Sequence, residues 1–119
     1  MSDESPTRGE IWLVRFSRAP ATELQRDRPV IVIGAPTYDE WPFRIVVPLT
    51  TWQPGYFGRS HKTPIFASPG NGLTRNSAAD ALQVASLSTG RFLRRLGSLS
   101  ADLIEEVVAS VVLAIGYRG

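Results

Sequence analysis

The sequence predicts a mainly β fold closed by one C-terminal helix, and three observations carry the prediction. Two apolar, β-branched runs, residues 30–33 and 44–49, flank a segment punctuated by Pro36, Tyr38, Asp39 and Pro42, the pattern of two strands joined by a loop. Short runs of strand-forming residues recur on either side of them, separated by polar, Gly- and Pro-rich stretches. From Ser100 onward the apolar spacing changes to that of a helix: Leu103, Ile104, Val107, Val108, Val111, Val112 and Ile115 line one face at 3.6 residues per turn.

The elements follow in order. Residues 1–8 are polar and read as a disordered tail, and a single domain is expected over residues 9–116. Residues 9–16, with Ile11, Trp12, Val14 and Phe16, form the first strand. Residues 17–27 make a connection longer than hairpins use. The second strand is apolar at each of residues 30–33, which suits burial on both faces. Pairing it antiparallel with the third strand about Asp39 sets Arg28 opposite Thr50, within two positions. Residues 52–62 are a polar-aromatic loop, and Pro64 makes residues 63–67 an edge strand. The cluster Ser68-Pro69-Gly70-Asn71-Gly72 is a turn. Residues 77–87 mix alanines that favour helix with an alternation that favours strand; a strand over 81–87 is expected. A turn at 96–99 precedes the helix, which Ser100 caps, Asp102, Glu105 and Glu106 support electrostatically, and Gly116 ends. About five short strands with an appended helix suit a small, partly closed β-barrel.

With 119 residues, 43% of them hydrophobic, the chain suits one domain with a real core, which a dimer would further stabilise. The net charge of +2, from 13 basic and 11 acidic residues, is too slight to identify a nucleic-acid binder. Cysteine is absent and histidine occurs once, as His61. Thiolate metal sites, Cys nucleophiles and His-rich metal sites are excluded on that basis. The N-terminus has no apolar signal region and no run is long enough for a membrane span, so a cytoplasmic location away from membranes is expected.

An ordered set of residues resembles the MazF/PemK/Kid family of bacterial toxin endoribonucleases over residues 9–116. The set comprises Gly9-Glu10-Ile11-Trp12, Glu23 in the long loop, Arg28-Pro29-Val30, Val47-Pro48-Leu49-Thr50, Gly72-Leu73 with Ser77 beyond, Gln83, and Arg91-Phe92-Leu93 leading to Gly97. The resemblance implies an SH3-like barrel of the CcdB/PemK type acting as a homodimer. It implies metal-independent cleavage of single-stranded RNA at a short sequence, no cofactor, and products with 2′,3′-cyclic phosphate and 5′-hydroxyl ends. It implies Arg28 and Thr50 as the catalytic pair, with Glu23, Thr51, Trp52, Gln53, Ser77 and Gln83 as RNA-binding residues. An acidic antitoxin with a disordered tail is the implied protein partner. The chain departs from the family pattern at Ala21, at Trp52 and at Leu82, where an acidic residue is usual.

The residue chemistry agrees with that class. RNA carries its own nucleophile, the 2′-hydroxyl, so no Ser or Cys nucleophile is required. A guanidinium can grip phosphate oxygens with a fork of donors, and a threonine hydroxyl can donate to an oxygen as charge develops. Glu23 is a candidate base or base-reading residue. Without the resemblance, an arginine at a strand start is ordinarily a solvated rim charge. Two other classes share the expected fold: a toxin that traps DNA gyrase without cutting RNA, and a binding module without activity.

Overall fold

The computed structural model describes residues 5–16 and 27–118. These form seven strands and one α-helix: β1 (Glu10–Val14), β2 (Arg28–Val32), β3 (Phe43–Thr51), β4 (Lys62–Ile65), β5 (Ser77–Asp80), β6 (Ala85–Ser88), β7 (Phe92–Ser98) and α1 (Ala101–Ala114). The strands run antiparallel in the order β4-β5-β3-β2-β1-β7, with β6 added beside β3. The expected mainly β architecture with a C-terminal helix is therefore present. The barrel is loose: among the described residues β4 and β7 end the sheet without pairing to each other.

β3 is the axis of the sheet. On one edge it pairs with β2, Val30 opposite Pro48 through Val32 opposite Val46. On its other edge it pairs first with β6 as far as Val46, then with β5 from Leu49. The Ile45 carbonyl accepts from the Ile33 and Gly34 N–H groups of the β2 side. Strand alternation then turns even-numbered residues, Pro48 included, toward the other edge. There Pro48 falls in the gap between β6 and β5, where a missing N–H breaks no ladder bond.

Apolar alternation builds two cores, one on each sheet face. Ile11, Ile31, Val47, Leu49, Ile65 and Ala79 pack with Ile104 and Val107 of α1. Trp12, Val14, Val30, Val32, Val46 and Leu87 pack on the opposite face. Burial on both faces explains the uninterrupted apolar run of β2. α1 begins where Ser100 Oγ accepts from the Leu103 N–H, a cap that contributes about 1 kcal/mol. The Ser110 hydroxyl donates to the Ser60 carbonyl at 2.5 Å and ties the helix to the loop before β4. No helix of the described residues is long and apolar enough to cross a membrane.

Three local expectations change. The alanine-rich segment Ser77–Asp80 is a strand, buried at every position, and the following residues Ala81–Gln83 form a 3₁₀ turn before β6. The single strand expected over 81–87 is thus split. Asp80 causes the break by accepting the Leu82 N–H at 3.1 Å, which offers the backbone a local turn instead of a ladder. The turn expected at 96–99 is largely strand, because β7 runs on to Ser98 opposite Glu10. In the segment expected as a tail, Pro6 is buried and its carbonyl accepts from Arg44 Nε at 2.7 Å, while Thr7 Oγ1 donates to Asp39.

Candidate functional site

The β2–β3 register, continued from Val30–Pro48, sets Pro29 opposite Leu49 and Arg28 opposite Thr50. Pro29 has no N–H to give, so the ladder ends there and the two strands part. A cavity of about 520 Å³ occupies the opening. Asp27, Arg28 and Pro29 line it from the start of β2, and Leu49, Thr50 and Thr51 from the end of β3. Leu73, Thr74 and Arg75 of the preceding turn and Ser77 of β5 complete it.

Its chemistry is cationic and hydroxyl-rich. Arg28 and Arg75 bring two guanidiniums, while the one carboxylate among its lining residues, Asp27, has Oδ1 at 3.7 Å from Arg15 Nε. Four hydroxyl residues, Thr50, Thr51, Thr74 and Ser77, share the cavity. Arg28 and Thr50 are half-buried and Thr51 and Arg75 exposed, so their polar ends are reachable from solvent. Ser77 is buried and its Oγ donates to the Arg75 carbonyl at 3.0 Å, which fixes the turn that carries Arg75.

The expected site residues thus separate into groups. Arg28, Thr50, Thr51 and Ser77 meet in the cavity. Trp52 and Gln53 follow directly from Thr51 but do not line it. The Trp52 N–H extends the β3–β5 pairing by donating to the Asn76 carbonyl at 3.0 Å, and its ring meets Tyr56 edge-to-face at 5.8 Å. Gln53 is exposed and accepts the Tyr56 N–H on its backbone carbonyl. Gln83 lies outside the cavity, exposed on the 3₁₀ turn. Glu23 lies outside the described residues. Arg75 and Thr74 were not anticipated. Their only sequence signal is a Thr-Arg pair between the Gly72 turn and Ser77, which gains meaning once the turn folds against β3.

A second polar cluster stands beside the first. Lys62 Nζ donates to Asp80 Oδ2 at 2.9 Å, and Gln83 Nε2 donates to the same oxygen at 2.8 Å. Burial by itself would raise the Asp80 pKa. The hydrogen bonds from Lys62 and Gln83, the Lys62 charge and the Leu82 N–H outweigh it and hold the carboxyl below its ordinary range. The Lys62 ammonium also lies 4.3 Å from the centre of the Tyr56 ring, a cation–π contact.

A curled antiparallel sheet carrying a C-terminal helix, with a cationic cavity where β2 and β3 part, defines a small toxin fold. The chain belongs to the PemK-like, MazF-like toxins of type II toxin–antitoxin systems, whose family model matches residues 7–115. Among solved structures it is similar to MazF from Deinococcus radiodurans, with a TM-score of 0.76 and 21% identity over 96% of this chain and 99% of that one. It is similar to the Mycobacterium tuberculosis toxin MazF-mt6, with a TM-score of 0.71 and 19% identity over 89% of this chain and 95% of that one. A mycobacterial endoribonuclease in complex with its cognate antitoxin matches with a TM-score of 0.72 and 15% identity over 97% and 99% of the two chains.

Proposed function

We propose that this toxin is a metal-independent endoribonuclease that cuts single-stranded RNA at a short sequence. The observation that carries the reading is the junction of Arg28, Arg75 and four hydroxyl residues in one cavity. That donor set suits a phosphodiester far better than a neutral substrate. Endoribonuclease is also what a similar mycobacterial protein is.

In this reading the scissile phosphate sits between Arg28 and Thr50. The substrate's 2′-oxygen attacks phosphorus and the bond to the 5′-oxygen breaks, leaving a 2′,3′-cyclic phosphate and a 5′-hydroxyl. Arg28 holds the non-bridging oxygens and offsets the charge that grows on them. Thr50 donates to one of those oxygens, most strongly in the transition state. Thr51 and the neighbouring Trp52 and Gln53 contact flanking nucleotides, Trp52 by stacking. The toxin acts as a homodimer, its exposed Leu113, Ile115 and Tyr117 at the helix end providing apolar surface for a second copy. Its acidic antitoxin inhibits by laying a disordered segment across the cationic cavity, folding as it binds.

The test is cleavage of a mixed-sequence RNA in excess EDTA. Wild type is expected to cut, and Arg28→Ala, folded by circular dichroism, to lose about 10²–10³-fold or more in rate. Undiminished cleavage by Arg28→Ala overturns the mechanism. Intact RNA together with trapped gyrase–DNA complexes overturns the activity itself.

A further inference from the structure

A 2′-hydroxyl that attacks phosphorus must give up its proton, and a group beside it has to accept that proton. Among the described residues lining the cavity, two guanidiniums, four hydroxyls and three apolar side chains are unfit for this. A guanidinium stays protonated and has no acceptor lone pair, and a neutral hydroxyl is a very weak base near pH 7. Asp27 remains, the one carboxylate of the lining.

The fold also fixes where Asp27 stands. The β1–β2 register sets Val14 opposite Arg28, so its next step sets Arg15 opposite Asp27. Arg15 is anchored at both of its backbone groups. Its N–H donates to the Arg91 carbonyl at 2.9 Å, and Arg91 Nη1 donates to the Arg15 carbonyl at 2.7 Å. Arg15 Nε lies 3.7 Å from Asp27 Oδ1, near enough to orient the carboxylate but beyond hydrogen-bonding distance. A carboxylate has about four acceptor sites, and that contact fills none of them. On the other side, the β2–β3 register continued from Val30–Pro48 sets Asp27 level with Thr51, one step past Arg28 and Thr50. Consecutive Cα atoms are about 3.8 Å apart, so a phosphate gripped by Arg28 and Thr50 has Asp27 on its flank. The Asp27 side chain is 40% exposed and open to a substrate.

We propose that Asp27 is the general base of RNA cleavage, an assignment that rests on the ribonuclease reading. The 2′-hydroxyl proton passes to the Asp27 carboxylate as the 2′-oxygen bonds to phosphorus. The bond from phosphorus to the 5′-oxygen breaks on the opposite side, and that oxygen takes a proton from water. Asp27 then releases its proton to solvent, so the turnover consumes no net proton. Arg28 and Thr50 keep their hold on the non-bridging oxygens throughout. The task thereby moves from Glu23, the carboxylate the sequence suggests, to one that lines the cavity.

The experiment measures single-turnover cleavage of a mixed-sequence RNA at saturating protein from about pH 3 to pH 8, with rates corrected for the folded fraction. The charged neighbours of Asp27, namely Arg15, Arg28 and Arg75, keep their charge across that range, so an acid limb reports a carboxylate. Wild type is expected to show such a limb, with slope one in log rate against pH. Asp27→Asn should lose about 10²–10³-fold in rate near neutrality and lose the limb with it. Its affinity for RNA, read by fluorescence anisotropy, should be equal or tighter, because a negative charge has left a cationic cavity. Asp27→Glu, which keeps the carboxylate, should keep the limb, and so should Glu23→Gln, whatever its rate. Asp27→Asn cutting at the wild-type rate, or cutting slowly with the limb intact, overturns this assignment alone. So does a limb that disappears in Glu23→Gln, or a wild-type rate flat over the whole range. A wild-type protein that cuts no RNA overturns the ribonuclease reading and the assignment with it.

Discussion

Arg28 and Arg75 share a cavity but are held differently, and their substitutions should fail differently. Arg28 is half-buried at the start of β2, whereas Arg75 projects, exposed, from a turn whose carbonyl Ser77 holds. Arg75→Ala is expected to weaken binding of single-stranded RNA while sparing the chemical step. Its slope of log affinity against log salt should shrink by about 0.7, the worth of one phosphate contact, as read by fluorescence anisotropy at several salt concentrations. A slope equal to that of wild type removes Arg75 from the phosphate path. Arg28 and Thr50 were legible in the sequence because two apolar strands and one loop fix their register. Arg75 was not, since its place depends on how the turn after Gly72 folds against β3. Asp80 adds a pH signature. Its carboxyl is held below the ordinary range in the folded protein, so its stabilising effect is full above the unfolded carboxyl pKa and disappears as pH falls through the lower folded value. Asp80→Asn should be less stable than wild type near neutrality, and the difference should narrow on acidification below about pH 4. Urea denaturation at a series of pH values measures this directly; a gap constant with pH would mean that the charge contributes nothing.

At the scale of elements, Arg44 organises more than its place in a strand suggests. It is 4% exposed, and its guanidinium donates to the carbonyls of Pro6, Asp39, Trp41 and Phe43. The Asp39 carboxylate is 3.6 Å from its Nε. One side chain thus closes the loop between β2 and β3 and pins the segment that enters β1. Arg44→Met keeps much of the volume but strips those carbonyls of their donor. A loss of about 3–5 kcal/mol is expected, as for breaking a buried charged pair, measured by chemical denaturation. A loss below about 1 kcal/mol would mean that water replaces the guanidinium there. The sequence shows the arginine and the loop but not their union, because the fork contacts residues up to 38 positions away. Ser77–Asp80 was obscure for another reason. Small residues carry weak β-propensity by themselves, and only the crowded space between β3 and β4 selects a strand of Ser-Ala-Ala. The sequence shows a turn at residues 96–99 and no strand at β7, because Gly97 and Ser98 resemble turn residues, whereas in the fold β7 runs over Phe92–Ser98 and Gly97 is required by a neighbour.

That neighbour governs the shape of the whole molecule. The two ends of the sheet, β4 and β7, lie apart in the strand order, and the turn after β4 spans the distance between them. The Ser98 N–H of β7 donates to the Gly70 carbonyl at 3.0 Å, and the two backbones meet with no room for side chains. A Cβ on Gly97 would overlap the Gly70 carbonyl and come within 2.7 Å of Asn71 Cα. A Cβ on Gly72, whose φ of +70° already favours glycine, would overlap the Leu96 carbonyl. The curl of the sheet therefore depends on a backbone-to-backbone seam. The same turn runs on into Leu73, Thr74 and Arg75, which line the cavity, so the seam that shapes the sheet also places one wall of the site. Gly97→Ala must push the turn outward. It is expected to cost about 1–3 kcal/mol, the usual range for an overpacked position, and to lower RNA cleavage beyond what the unfolded fraction explains. The comparison is made well below the melting temperature, with the folded fraction measured on the same sample. Turnover that simply tracks the folded fraction would separate the seam from the site and leave Gly97 a residue of stability alone.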